Sequence, residues 1–464
     1  MENEKTFEEA FDETLEEILG LIREKKYKAA RDLLVDGRNG ADIAEFLESI
    51  VDEEGIEKSI ILFRMLPKDI SVEAFAYMPI DDQVNIINGI TDKEVLFIMD
   101  EMDFDDMIDV MEELPANLVD KILEKTPKEE RKLINTFLNY PDDCAGSIMT
   151  PDYISLKEDM TVREALAYIR RAGMDSETVY TCYVKDEGRK LIGIVSLRTL
   201  VLSDENVPIR EIMRDEYVYA NVYDDQEQVS ELFKKYDFLA IPIVDKEHRL
   251  VGIVTVDDIL DVIEEEATED FERMAGIIDD SDRDYLDMSV FHHAKSRLPW
   301  LIFLMFSSMI TGAIITRFEE VLSQVIVLVA YMPLLMGTGG NTGSQAATLI
   351  IRGMTVGEIE LPDVRKVLWK EVRVSLLIGM VLSMINFLKI ILIDRQSILI
   401  ASTVCLSMLM IVVFAKLIGS LVPMTAKRVG IDPALMANPM ISSVTDMISV
   451  LTYFFLATML LGIG

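Results

Sequence analysis

Five apolar stretches crowd into the chain after residue 297, at 298–316, 322–335, 374–393, 398–423 and 440–463. A full bilayer crossing needs about 20 such residues, so this part of the chain reads as a membrane domain with five helices. Charge follows the same division. Residues 1–290 hold 32 Lys and Arg against 72 Asp and Glu, and residues 291–464 hold 13 against 9. The first part is therefore a strongly acidic soluble region. Such a surface repels nucleic acid and attracts cations; plain solubility is the alternative reading.

The second apolar stretch is short until GTGGNTGSQAATLII is added, which predicts a helix loosened by glycine. Irregular backbone at membrane depth persists only where it is buried or lines a wet cavity. The alternative is close helix packing through small residues. The last stretch carries the carboxylate of Asp446. A charge at that depth costs at least ~2.5 kcal/mol and usually marks a function.

Lys and Arg set the orientation. Lys295 and Arg297 precede the first stretch, Arg352, Arg365, Lys366, Lys370 and Arg373 separate the second and third, and Lys427 and Arg428 separate the fourth and fifth. The alternate loops hold only Arg317 and Arg395. This predicts a multi-pass protein of the cell (inner) membrane, with a cytoplasmic N-terminus and an extracytoplasmic C-terminus. The opening residues MENEKTFEEAFDETLEE lack the basic start and apolar run of a signal peptide. Cys144, Cys182 and Cys405 are scattered, which suits a reducing compartment and no disulfide framework.

Two repeats organise the acidic region. Turns start at Pro67, Pro79, Thr91, Asp103, Pro115 and Pro127, spaced by 12 residues. Each start is followed by acids and then an apolar face, which predicts short helices stacked in a superhelix. The acids of these first turns also suit the helix dipole without further function. Further on, GSIMTPDYISLKEDMTVREALAYI parallels REIMRDEYVYANVYDDQEQVSELF, and KLIGIVSLRTL parallels RLVGIVTVDDIL. Each copy predicts an extended segment, a helix after Thr161 or Asp225, two β-rich runs and a final helix. The chain then continues as DDILDVIEEEATEDFERM, one long helix with Asp258, Asp261, Glu265, Glu269 and Glu272 on one stripe. Like charges at this spacing destabilise a helix by tenths of a kcal/mol per pair. Divalent cations would relieve the repulsion, and a solvated face is the alternative.

The paired repeat is similar to a tandem pair of CBS domains, which often bind adenosine nucleotides. The order of acidic helical repeat, CBS pair, acidic helix and membrane helices with GTGGNTGSQAATL and GIDPALMANPMISSVTD resembles the bacterial MgtE family of magnesium transporters over nearly the full length. The resemblance implies a multi-domain fold: an all-α superhelical domain at 1–140, α/β CBS domains at 141–203 and 204–262, a connecting (plug) helix and linker at 263–297, and five transmembrane helices at 298–464. It implies a homodimer in lipid whose pore lies on the two-fold axis, conducting Mg²⁺ inward and closing when cytoplasmic Mg²⁺ is high. Asp446 would hold hydrated Mg²⁺ in the pore, which Gly337, Gly340, Ser344, Thr348, Asn438 and Ser442 would line. Ser344 and Ser442 stand where the family often has Asn and Ala.

Regulatory Mg²⁺ would bind Glu73, Asp105 and Asp109 in the helical domain and Glu227 and Asp237 in the second CBS copy. Along the connecting helix it would bind Asp258, Asp261, Glu266, Glu269 and Asp270, with Asp432 meeting that helix at the inner mouth. By the same resemblance, ATP or another adenine nucleotide would touch Tyr180, Ser196, Arg198, Phe238 and Thr255. Thr199 stands where the first copy would usually carry Asp. The alternative is a transporter of another divalent cation or small solute, regulated through the CBS pair. No enzyme is expected, since neither a Ser/His/Asp arrangement nor a phosphate loop is evident. His248 stands alone near a turn of the repeat, and His292 and His293, before the first span, read as interfacial packing residues.

Overall fold

The computed structural model describes residues 7–174, 176–278, 285–286, 288–436 and 438–462. The chain forms two compact units, Met1–Ile263 and Glu264–Gly464. The first opens with four helices, α1 (Phe7–Arg23), α2 (Tyr27–Val35), α3 (Gly40–Glu54) and α4 (Ile56–Phe63). Six short helices follow: α5 (Lys68–Ala76), α6 (Ile80–Gly89), α7 (Asp92–Glu101), α8 (Phe104–Glu113), α9 (Ala116–Lys125) and α10 (Lys128–Phe137). Their N-caps are the six predicted starts, Pro67, Pro79, Thr91, Asp103, Pro115 and Pro127. The caps act locally: the Glu94 carboxylate accepts from the Thr91 N–H at 2.7 Å, half of a capping box. The seventh residue after each start is apolar and buried, namely Ala74, Ile86, Ile98, Val110, Ile122 and Ile134. One buried position per turn of the repeat joins the short helices into a single core.

The paired repeat forms two three-stranded sheets. In the first, β1 (Tyr153–Lys157) lies parallel to β2 (Thr178–Lys185), which is antiparallel to β3 (Leu191–Ser196). The second repeats this with β4 (Ala220–Asn221), β5 (Ala240–Val244) and β6 (Leu250–Thr255). Helices α11 (Val162–Ala172) and α12 (Leu197–Leu202) belong to the first copy. Helix α13 (Gln226–Tyr236) belongs to the second, and α14 (Val256–Ala275) leaves it. The helices predicted after Thr161 and Asp225 begin there.

The copies exchange their leading segments. Thr150 bridges Ile253, and Arg214 bridges Ile194. Each crossing passes over a repeated glycine. A Cβ on Gly193 would lie 2.9 Å from the Met213 sulfur and 3.0 Å from the Arg214 carbonyl oxygen. On Gly252 it would lie 2.8 Å from Met149 sulfur and 2.9 Å from Thr150 oxygen. The repeated IM and GIV motifs are therefore the two sides of one contact, made twice.

The second unit contains α15 (Val290–Arg317), α16 (Glu319–Gln324), α17 (Met332–Thr355), α18 (Val364–Leu392), α19 (Ile398–Val429) and α20 (Asn438–Leu461). Among the described residues four helices are long and apolar enough to cross a membrane: Val290–Arg317, Leu361–Leu392, Ile398–Val429 and Pro439–Leu461. The predicted second stretch departs from expectation. It is split into α16, a 3₁₀ segment at Ile326–Tyr331 and α17. Helix α17 then runs unbroken through the glycines, with Pro333 in its first turn.

Close packing explains why the glycines do not loosen it. Helix α19 packs against α17, α18 and α20. A Cβ on Gly419 of α19 would stand 2.2 Å from the Gly343 carbonyl oxygen of α17. The backbones meet there because Gly419 lacks a side chain, while the missing Cβ of Gly343 lets Ile441 and Thr445 of α20 approach α17.

Helix α19 also carries Lys416, whose ammonium donates to Glu371 of α18 at 3.1 Å. Both groups are buried, with side chains only 4% and 11% exposed. Replacing one member of such a pair costs about 3–5 kcal/mol, because the other charge stays buried alone. Lys416→Met should therefore lower the melting temperature of the detergent-solubilised protein sharply. Lys416→Met with Glu371→Leu should recover most of the loss. A single variant as stable as the parent would refute this account of the pair.

Candidate ion pathway and acidic clusters

Helix α17 presents a polar face. Gly337, Asn341, Gln345 and Thr348 are exposed, and Ser344 between them is half-buried. Their spacing places them along one side of a helix. The side chains of Asn341 and Gln345, which the sequence reading passed over, make no hydrogen bond among the described residues. Such a row is costly against lipid and suits a wet pathway or a second chain.

Helix α20 meets this face at Ser442. The Ser442 and Ser344 hydroxyls are 3.3 Å apart, and a Cβ on Gly340 would lie 3.4 Å from Ser442 Oγ. The structure thus brings Gly340, Ser344 and Ser442 together. Asp446 stands one turn further along α20, part-exposed, with no hydrogen bond or ion pair among the described residues. The side chain of Asn438 lies outside the described residues.

The first unit gathers acids around Asp105 of α8 and Asp258 of α14. Asp105 is only 8% exposed. Burial, then the neighbouring Asp106, pushes its carboxyl up to about 7. Asp106 rises to about 7 through burial and then Asp103, Asp258, Asp257 and Asp261. Asp258 rises to about 7 through burial and then Asp105, although the Thr255 hydroxyl donates to it at 2.6 Å. Glu177, just before β2, rises to about 8 through burial and then Asp105, Asp103, Asp257 and Asp258. Three segments distant in sequence therefore converge their carboxylates. Asp106 and Glu177 were not among the expected ligands.

The remaining expected ligands are more dispersed. Glu73 sits exposed on α5, and Asp109 is exposed on α8, one turn after Asp105. Glu227 lies in the first turn of α13 and Asp237 is its C-cap. Ten residues of helix put them about 15 Å apart along the axis, too far to share an ion within one chain. In the second unit, Asp270 of α14 is held above the usual carboxylate range by burial and then by Asp432, with Arg352 opposing. Glu269 pairs with Arg273, which also reaches Asp432. Glu266 is part-exposed one turn before Asp270.

Among the described residues no three His, Cys, Asp or Glu side chains are arranged to hold a bare metal ion. The donor set still fits hydrated Mg²⁺. That ion keeps several waters and takes only one or two carboxylates directly. All the groups gathered around Asp105 and Asp258 are hard oxygen donors.

The candidate nucleotide contacts sit on the CBS pair. Thr255 is tied to Asp258, and Ser196 is hydrogen-bonded to Thr199 at 2.8 Å. Tyr180 and Arg198 are exposed, and Phe238 stacks on Tyr236 with ring centroids 5.4 Å apart.

Comparison with known proteins agrees with this layout. The MgtE divalent cation transporter domain matches residues 332–456, the MgtE intracellular N domain matches 39–143, and CBS domains match 145–204 and 209–265. The magnesium transporter MgtE of Thermus thermophilus is 36% identical over 452 residues, covering 95% of this chain and 99% of the relative. That of Bacillus subtilis is 32% identical over 439 residues, covering 92% and 95%. Among solved structures, the cytosolic domain of the Mg²⁺ channel MgtE in complex with ATP is 34% identical. It covers 53% of this chain and 98% of that one, with a TM-score of 0.49. The relatives are transporters rather than enzymes, and with this coverage the chain belongs to the MgtE family of divalent cation transporters.

Proposed function

We propose that the chain imports Mg²⁺ through a pathway on the polar face of α17 and past Asp446, and that Mg²⁺ bound to its acidic clusters closes that pathway. The observation that carries the reading is the contrast between two acids of the second unit. Glu371 is neutralised by Lys416, whereas Asp446 has no partner among the described residues. A carboxylate left unpaired among apolar spans needs a mobile cation. In a homodimer, two copies of Asp446 around one axis would hold a hydrated divalent ion through its water shell. The Lys and Arg distribution supports a cytoplasmic first unit. Mg²⁺ released inside would then reach the Asp105–Asp258 cluster and favour whichever state binds it better.

The fragment 1–280 tests the sensor. Its clustered acids have folded pKa values near 7 to 8, against about 4 in an unfolded chain. The folded fragment therefore holds protons that the unfolded chain has already released. Its stability should fall as pH rises from about 5 to 8. Mg²⁺ should restore stability at pH 8 and do little at pH 5, where protons already neutralise the cluster. Melting curves with and without Mg²⁺ at both pH values read this directly. A flat pH profile, or equal Mg²⁺ stabilisation at pH 5 and 8, would rule out the cluster as the sensor. ATP in the same assay tests the nucleotide reading, which rests on the Thr255–Asp258 pair.

A further inference from the structure

Asp432 already has a cation. Arg273 Nη1 donates to Asp432 Oδ2 at 2.8 Å, and Nη2 of the same guanidinium pairs with Glu269 one turn earlier in α14. Arg273 is the single base in a 20-residue helix otherwise rich in Asp and Glu. The residues just after it are fastened as well. Met274 packs against Ala347 and Ile351 of α17 and Ile441 of α20. Gly276 turns the chain at φ +73°, with the Trp300 ring so close that a Cβ there would lie 2.0 Å from Cδ1. The Ile278 N–H donates to the Ser296 carbonyl at 3.2 Å. The end of α14 is thus attached through side-chain and backbone contacts to α15, α17, α20 and the loop after α19.

We propose that Arg273 is a built-in cation that takes the place of a metal ion at Asp432. It holds the end of α14 against the membrane helices when Mg²⁺ is absent, and so sets how much Mg²⁺ closure requires. The regulatory part of this inference rests on the function proposed above; the attachment itself does not. A guanidinium suits the role because it is permanently charged, less strongly hydrated than an ammonium, and able to bridge two carboxylates in a fixed fork. Being tethered, it is present at high effective concentration whatever the ionic conditions. Mg²⁺ must displace it to reach Asp432. Removing Arg273 should therefore have two effects: the helix end detaches at low Mg²⁺, and the freed Glu269, Asp270 and Asp432 bind Mg²⁺ more readily.

Trp300 reports the attachment without any transport measurement. The chain has two tryptophans, so a Trp369→Phe background leaves Trp300 as the only emitter. In full-length detergent-solubilised protein without Mg²⁺, Arg273→Gln should red-shift Trp300 emission and raise its quenching by acrylamide. Added Mg²⁺ should reverse both, while the parent should scarcely respond. In proteoliposomes the variant should conduct several-fold more at low internal Mg²⁺ and shut more steeply as Mg²⁺ rises. Arg273→Lys should fall between the two, and Arg273→Gln should add nothing in an Asp432→Asn background. Trp300 emission unchanged by Arg273→Gln at zero Mg²⁺ would overturn the proposal. A shift in emission in a protein whose flux ignores internal Mg²⁺ would leave the attachment standing and refute the gating function instead.

Discussion

Asp446→Asn is expected to abolish Mg²⁺ uptake while leaving the protein folded. Asn has nearly the volume of Asp, so α20 should pack as before, with Thr445 and Ser449 buried on either side of the site. What disappears is one negative charge per chain, or two around the axis of the proposed dimer. A divalent ion and two carboxylates in a poorly screened pore attract strongly, even through a layer of water. Nothing near Asp446 in the described chain compensates for that charge, unlike Glu371 with its lysine. Neutralisation should also relieve the burial cost of the carboxylate, so the variant should melt no lower than the parent. A merely structural Asp446 forecasts something else. An interhelical hydrogen bond in a membrane averages about 0.6 kcal/mol, and Asn could largely supply it. Mg²⁺ flux in proteoliposomes at matched protein content separates the two. Flux near the parent's would remove Asp446 from the pathway and leave the Gly337–Thr348 face of α17 as the place to look.

The features legible from sequence were those fixed by near neighbours. A helix start is decided within four residues, so Pro67, Pro79, Thr91, Asp103, Pro115 and Pro127 could each be read as a cap, and each is one. The duplication inside the CBS pair was equally visible. The exchange of Met149 and Met213 between copies was not, because nothing local says which sheet a segment joins.

The glycines of α17 were misread for a related reason. Glycine propensity argues against helix by about 1 kcal/mol per residue, but the side-chain-free Gly419, more than seventy residues away, lets α19 reach the Gly343 carbonyl, and this close packing, the alternative the sequence had left open, decides the matter. Asn341 and Gln345 could have been found by following the helical spacing from Gly337. Glu177 could not. It belongs to no acidic stripe and joins Asp105 and Asp258 only through the fold. The Glu371–Lys416 pair was likewise hidden, since Glu371 sits among Lys370 and Arg373 while Lys416 stands alone in the fourth apolar stretch.

Replacing Asp258 and Asp261 together by Asn should leave the transporter active at internal Mg²⁺ levels that silence the parent. Both residues lie in the first turns of α14 and both act on the acids of α8. In the parent their charges repel Asp105 and Asp106 unless something neutralises them. Protons neutralise Asp258, Asp105 and Asp106 below about pH 7, and under the proposed function Mg²⁺ takes over above it. The Asn pair removes the repulsion and the ion site at once, and this makes the forecast sharp. Without Mg²⁺ the first unit of the variant should be more stable than the parent's, since two charges that repel the acids of α8 are gone. With Mg²⁺ it should gain little, because a ligand stabilises only the state that binds it. The two states of the gate then differ less in their affinity for Mg²⁺, and an ion that binds both alike cannot shift their balance. The inhibition curve should accordingly move to higher Mg²⁺ and become shallower. Flux measured across a range of internal Mg²⁺, beside the melting temperature of the same variant, gives both readings. A stabilised unit whose inhibition curve overlays the parent's would mean that the acids of α8 and α14 shape the soluble unit and take no part in the gate.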